Sequence, residues 1–214
     1  MDEEQVLRML GNVGAVITGS HIVYASGKHG TAYINKDALY PHTQKTSFVC
    51  RVIAYEFSGC DIDIVIAPAI GGVILAQWTA RHLEVFIGRE VLALYAEKTA
   101  DGNDFVITRG YEKLIPGKRV LVVDDVLTTG ASVRKVVEAA RAIGGDVIGV
   151  GVLCNRGGMS AEDVGDVSIL YSLVNIVMDA WDEADCLLCK EGKPINRDVG
   201  HGAAFLARKL GKVG

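Results

Sequence analysis

The chain has 214 residues, half of them hydrophobic and 22% charged, with a formal net charge of -4 and a pI near 5.7. That size suits one α/β domain with a small appendage, and the acidic balance leaves no footprint for nucleic acid or an anionic membrane. The first residues, MDEEQVLRML, are acidic where a secretory signal needs a basic start, and no apolar run approaches the roughly 18 to 20 residues of a membrane span. A cytoplasmic protein acting on a small molecule is expected. Five cysteines, an odd number spread along the chain, argue for reduced thiols, with Cys50, Cys60 and Cys154 in apolar stretches read as core residues.

In chain order, a helix is predicted over residues 3–13, with Val6, Leu7, Leu10 and Val13 close to one face. Residues 15–36 (AVITGSHIVYASGKHGTAYINK) mix short β-branched runs with Gly, Ser and His, the pattern of strands joined by turns in a small hood. Helix returns over 43–57, and residues 63–67 (DIVIA) form a short apolar strand that stops at Pro68. The run PAIGGVILAQWTARHL reads as a Gly turn followed by a helix, and VFIG and VLALYA as further strands. Residues 96–112 (AEKTADGNDFVITRGYE) have the polar, Gly-containing signature of a long loop or hairpin; with few apolar anchors, the segment is expected to be mobile until a ligand arrives. Then GKRVLVVDDVLTTGASVRKVVEAARAIGGDVIGVGVLCNR supplies strand, loop, helix and strand, a complete βαβ unit. Buried strands alternating with helices imply a parallel sheet covered on both faces.

The tail from Trp181 onward is polar, carries the pair Cys186 and Cys189, and closes with AAFLARKLGK, a short helix. The expected organisation is a single domain of class α/β: helix and hood over 1–42, the core over 43–178, and a C-terminal appendage over 179–214. The CxxC pair offers two thiolates, whereas structural zinc usually takes four ligands. His201 and another cysteine are available to complete a set, but their spacing follows no zinc template, and a buried turn is the expected reading.

The most informative segment is VVDDVLTTGASVR, residues 122–134. An apolar strand delivers two adjacent acids, Asp124 and Asp125, to its carboxyl end, where open α/β sheets place their ligands. Thr128, Thr129, Gly130, Ala131 and Ser132 then form a small-residue loop opening a helix, so amide N–H groups and hydroxyls can converge on one anion. Acids beside a phosphate cradle suit a sugar phosphate, because carboxylates accept hydrogen bonds from vicinal ribose hydroxyls while amides hold the phosphate. The loop APAIGG, with Ala69, Gly71 and Gly72, also follows a strand and begins a helix, and its glycines allow close backbone approach to a charged group.

Two acids, two apolar residues and then TTGAS resemble the signature with which type I phosphoribosyltransferases bind phosphoribosyl pyrophosphate (PRPP). The resemblance implies that family's fold, with the loop at Ala69, Gly71 and Gly72 holding pyrophosphate. Within the family, SGKHGTAYINK is similar to the amino-terminal segment of orotate phosphoribosyltransferases, although Gly30 stands where that pattern often has Ser. Lys28 and Tyr33 suit a planar anion that needs charge and stacking, and Arg156 in LCNRGG matches the arginine those enzymes use near the pyrimidine. Glu97-Lys98, Arg109-Gly110-Tyr111 and the tail pattern of Cys186, Cys189, Gly192 and Pro194 match one branch of them.

The resemblance implies Mg2+ as cofactor, held by PRPP and the outer shell of Asp124 and Asp125. Catalytic roles fall to Lys98, Arg109, Asp124 and Asp125; orotate contacts fall to Lys28, Tyr33, Thr128 and Arg156. It further implies a twofold dimer whose loop reaches the neighbour's site, with PRPP and orotate as small-molecule partners. A phosphoribosyltransferase for a purine or other base, and a non-catalytic PRPP sensor, remain open alternatives.

Overall fold

Parallel strands must bury both faces, and β3 (Ile64–Pro68), β6 (Arg119–Leu127) and β7 (Asp146–Asn155) are apolar with few breaks. They form the middle of a six-stranded sheet in the order β5-β4-β3-β6-β7-β8, completed by β4 (Leu92–Lys98), β5 (Phe105–Val106) and β8 (Ile169–Asn175). Neighbours pair in parallel except β4 with β5. This computed structural model describes residues 3–24, 26–176, 178 and 180–211. The chain divides into two compact units, Met1–Val6 with Tyr40–Val177, which carries this sheet, and Leu7–Leu39 with Met178–Gly214.

In the larger unit, alternate residues of the strands face opposite layers, as a period of two requires. Ile64, Ile66, Val120, Val122, Val150 and Val152 pack with Val133, Val136, Val137 and Ala140 of α4 (Ala131–Ala142). On the other face lie α2 (Thr43–Glu56) and α3 (Val73–Ile87), whose buried stripes include Val49, Cys50 and Ile53 on the first and Leu75, Ala76 and Leu83 on the second. Here the sheet is flattened by glycine: a Cβ at Gly149 would stand 2.7 Å from the Phe57 ring, and one at Gly151 2.7 Å from Ile53. The sequence GVG in β7 is therefore what lets α2 approach the sheet.

Four expectations need correction or completion. The run VFIG is no strand: Val85, Phe86 and Ile87 end α3, and Gly88, in the left-handed region at φ 78°, donates its N–H to Glu84 O as the helix C-cap. β8 has no counterpart among the elements expected from the sequence. Residues 96–112 are the hairpin alternative, with Lys98 paired to Phe105 across β4 and β5, and they are not short of anchors. Phe105 and Ile107, two residues apart and so on one side, are 7% and 9% exposed in the core beneath α4. Cys50 and Cys154 are buried as expected, burial pushing both thiols up to about 12, whereas Cys60 is only half-buried.

The smaller unit is built on an antiparallel hairpin of β1 (Val16–Val23) and β2 (His29–Ile34). The C-terminal segment joins it through isolated bridges of His21 with Ile195 and His29 with Trp181, and through α6 (Gly202–Lys209), which packs on β1. That helix realises the expected closing segment, whose last residue, Lys212, lies outside the described residues. Among the described residues no helix is long and apolar enough to cross a membrane.

Gly151→Val tests the glycine argument. The added methyls overlap Ile53, and unfolding is expected to require about 1–3 kcal/mol less than in the parent protein, read from denaturant melts. An unchanged midpoint would mean that α2 yields without cost.

Candidate active site

The order of the central sheet creates a switch point. The chain leaves β3 through α3 to reach β4 on one side, and the next parallel strand, β6, pairs with β3 on the other. Ligands of open α/β sheets bind outside the carboxyl ends of strands at such a point. The two loops singled out from sequence, 69–72 after β3 and 128–132 after β6, are the loops that leave this pair of strands.

Asp124 and Asp125 sit in the last half of β6, 8% and 7% exposed. Each carboxylate is oriented by the amide that follows it: Asp125 N–H donates to Asp124 Oδ1 at 2.9 Å, and Val126 N–H to Asp125 Oδ1 at 2.6 Å. Asp124 then borders a hollow of about 140 Å3 walled by Thr128, Thr129, Gly130, Ala131 and Ser132, the first turn of α4 at its base. Gly130 is the N-cap, at φ 71°, a conformation costly for any side chain; a Cβ there would also meet Asp163 O at 3.1 Å. Thr128, Thr129, Ala131 and Ser132 are exposed, so their amides and hydroxyls face an open concavity at a helix N-terminus.

Across the switch point, Ala69 N–H donates to Ala96 O at 2.8 Å, tying the 69–72 loop to the base of the β4–β5 hairpin. Gly72 has no room for a side chain, since a Cβ would stand 2.7 Å from that of Ala67. Tyr40 OH donates to Gly71 O at 2.5 Å, and the Ala69–Ile70 peptide is cis. Lys98, the last residue of β4, is exposed. Arg109 is held at the hairpin base: it donates to Glu97 at 2.8 Å, Thr108 Oγ1 donates to the same carboxylate at 2.7 Å, and the guanidinium lies 5.9 Å from the Tyr95 ring centre. The Arg109 and then the Thr108 hydrogen bonds hold the Glu97 carboxyl below its ordinary value, so the pair stays ionised well into mild acid.

Arg156 follows β7, and its N–H donates to Leu127 O at 3.0 Å, which sets it beside the cradle loop. Asn155 braces this turn, its side chain donating to Met159 O and accepting from Met159 N–H. Gly157 abuts Thr128 so closely that a Cβ would fall 1.9 Å from its carbonyl oxygen. The structure thus gathers Asp124, Asp125, residues 128–132, the 69–72 loop and Arg156 along one sheet edge, with Lys98 and Arg109 on the adjoining hairpin. Lys28 and Tyr33 belong to the smaller unit: Lys28 is exposed on the turn between β1 and β2, and Tyr33 is half-buried on β2. Sequence reasoning passed over Tyr40 and Asn155, whose roles come from partners distant in sequence or folded back by a turn.

Acids and a phosphate-sized cradle meeting at the switch point of a parallel sheet are what an α/β protein that handles sugar phosphates requires. Comparison with known proteins narrows that class. The phosphoribosyl transferase domain family matches residues 39–183. An orotate phosphoribosyltransferase of Caldanaerobacter subterraneus subsp. tengcongensis is 37% identical over 196 residues, covering 91% of this chain and 96% of the relative. The crystal structure of orotate phosphoribosyltransferase from Aeropyrum pernix is 27% identical, with TM-score 0.60 over 87% of this chain and 98% of that one. That of the Mycobacterium tuberculosis orotate phosphoribosyltransferase, 22% identical, shares the fold with TM-score 0.64 over 82% of this chain and 97% of that one. The chain belongs to the phosphoribosyltransferase family.

Gly157→Ala is expected to push Thr128 out of place and weaken inorganic phosphate binding by about tenfold, close to 1.4 kcal/mol, measured by calorimetry. Unchanged affinity in the folded variant would remove the cradle from phosphate binding.

Proposed function

We propose that this enzyme transfers ribose 5-phosphate from PRPP to orotate, yielding orotidine 5'-monophosphate and pyrophosphate as a step of pyrimidine synthesis. The observation that carries the reading is the junction of Asp124 and Asp125 with the 128–132 cradle at the switch point, in a chain whose relatives over nine-tenths of its length are orotate phosphoribosyltransferases. Breaking the bond between C1 of the ribose and pyrophosphate leaves positive charge on the sugar and negative charge on the departing group, as in glycoside cleavage. The protein must therefore hold the phosphate end, orient the ribose and receive an anion.

The 128–132 loop, opening α4, is assigned to the 5-phosphate, with amides and the Thr and Ser hydroxyls as donors. Asp124 and Asp125, already oriented by backbone amides, accept from the ribose hydroxyls. Ala69, Gly71 and Gly72 bring backbone to the pyrophosphate, and Gly72 leaves the space for that approach. Two carboxylates and many phosphate oxygens are hard donors that fit Mg2+, with Asp124 and Asp125 in its outer shell; when bound, that ion offsets the charge on the leaving pyrophosphate. Lys98 is an exposed cation of the hairpin and excludes water from the anhydride-like donor with the loop it begins. Arg109, braced by Glu97, sets the hairpin base. Arg156 with Lys28 and Tyr33 is assigned to orotate, whose carboxylate and ring call for a guanidinium fork and stacking. The work is placed in the cytoplasm.

Pyrophosphate release measured with orotate, uracil, hypoxanthine and adenine in parallel tests the base. Orotate alone is expected to support turnover, and Arg156→Ala to raise the KM for orotate far more than that for PRPP. Turnover with a purine, or equal effects on both KM values, would remove orotate or Arg156 from the scheme.

The working unit is proposed to be a symmetric dimer in which Lys98 serves the neighbour's site, and the exposed Tyr55, Val85 and Phe86 on the α2–α3 surface support self-association. Asp124→Asn with Asp125→Asn is expected to lower kcat/KM about 100-fold or more, two charge-assisted contacts being weakened. Mixing those subunits with Lys98→Ala subunits then restores activity, since each heterodimer holds one site with intact acids and an intact lysine from across the interface. Verified heterodimers that stay as inactive as both parents would show that the site is not shared.

A further inference from the structure

The pair Cys186 and Cys189, read from sequence as a plain turn, meets two histidines. His21, on β1, and His29, at the start of β2, lie 157 to 168 residues away in sequence, yet all four donor atoms fall within 4.8 Å of one another. His201, the histidine that sequence offered, is exposed and outside the group. His21 Nε2 is 2.9 Å from His29 Nδ1, 3.7 Å from Cys186 Sγ and 3.6 Å from Cys189 Sγ, and Cys189 Sγ is 3.3 Å from His29 Nδ1.

These separations have a chemical meaning. Donors around a tetrahedral zinc, with bonds of about 2.0 Å to nitrogen and 2.3 Å to sulfur, stand about 3.3–3.8 Å apart. Three of these four distances fall within that range, and the His21–His29 pair is a few tenths of an ångström short of it. Without a central cation the same packing is poorly satisfied, because one imidazole nitrogen has a single lone pair and here faces three polar groups. The other nitrogen of His21, Nδ1, is 2.8 Å from Lys193 O, so it carries the proton and leaves Nε2 as the basic atom pointing into the cluster. A carbonyl in that position is the usual support of a metal-ligating histidine. His21, His29 and Cys186 are buried and Cys189 half-buried, and two thiolates with two neutral imidazoles balance the charge of a divalent ion, which makes burying the set inexpensive.

We propose that His21, His29, Cys186 and Cys189 form a structural zinc site that staples the C-terminal segment to the β1–β2 hairpin. Four protein donors leave no open position, so the ion does no chemistry on substrate. The smaller unit comprises only Leu7–Leu39 and Met178–Gly214, a size at which a metal commonly supplements a thin core. The ligands join segments far apart in sequence, where a cross-link removes the most freedom from the unfolded chain. The proposal does not depend on which base the enzyme uses.

The test uses the full chain, without an affinity tag and purified without added metal. Elemental analysis is expected to find about one zinc per chain, and cobalt(II) exchanged into the protein is expected to show the intense visible bands and thiolate charge-transfer absorption of a tetrahedral site with sulfur ligands. Iodoacetamide should then label Cys189 only after chelation, which also lowers the melting temperature. Cys186→Ser with Cys189→Ser should lose zinc at least tenfold, whereas His201→Ala keeps it. If the double variant does not fold, the cobalt spectrum of the unaltered protein decides. Zinc below about 0.1 per chain with no uptake by metal-free protein titrated with zinc, a cobalt spectrum without thiolate bands, full zinc retention in the folded double variant, or a Cys186–Cys189 disulfide in the purified protein would each overturn the site.

Discussion

The parallel pairing of β3 with β6 is the constraint on which the candidate site depends. Ile64 opposite Val120 and Ile66 opposite Val122 fix the register, and these are fully buried side chains that one-residue slippage would turn toward the wrong layer. From this pair the chain departs in opposite directions, through α3 on one face and α4 on the other, and the crevice between the two departures is where the acids and both glycine-containing loops lie. The register of these two apolar strands is what makes the two loops neighbours.

The adjoining hairpin combines a fixed base with an open end. Phe105 and Ile107 anchor it in the core, while Glu97, Thr108, Arg109 and Tyr95 lock its neck through hydrogen bonds and ring contact. Arg109 itself has φ 63°, an unusual conformation for a side-chain-bearing residue, which the surrounding bonds hold in place. At the tip the Asp101 carboxylate accepts from Thr99 Oγ1 and from Asn103, closing a small turn in polar contacts. The apolar anchors thus fix where Lys98 and Arg109 leave the core.

Local signals carried most of what the sequence made legible. Uninterrupted apolar strands, turn glycines and the DDVLTTGAS run need only neighbours in the chain for their meaning, and the switch-point loops were found from them. The tail end of α3 was misread because Val85, Phe86 and Ile87 are as suited to a strand as to a helix, and only the packing of the preceding turns decides. β8 carries a mixed half-buried pattern, ILYSLVN, that shows neither strict alternation nor an uninterrupted apolar run. Phe105 and Ile107 look like isolated apolar residues in a polar loop until α4 is placed over them. His21 and His29 sit in strands that sequence assigned to the hood, and nothing near them in the chain points to two cysteines at the other end; that link exists only through the bridges of β1 and β2 to the tail.

Those bridges also set an order of events during synthesis. The six-stranded sheet draws on a stretch that is finished by Val177, and such units fold as they emerge. The β1–β2 hairpin is made before it, yet Trp181, Ile195 and α6, which complete its surroundings, are made only after the last strand of the sheet. The hairpin strands therefore wait for a segment made after the whole sheet, and a chain that stops between β8 and that segment carries a finished sheet and a hairpin that never closes.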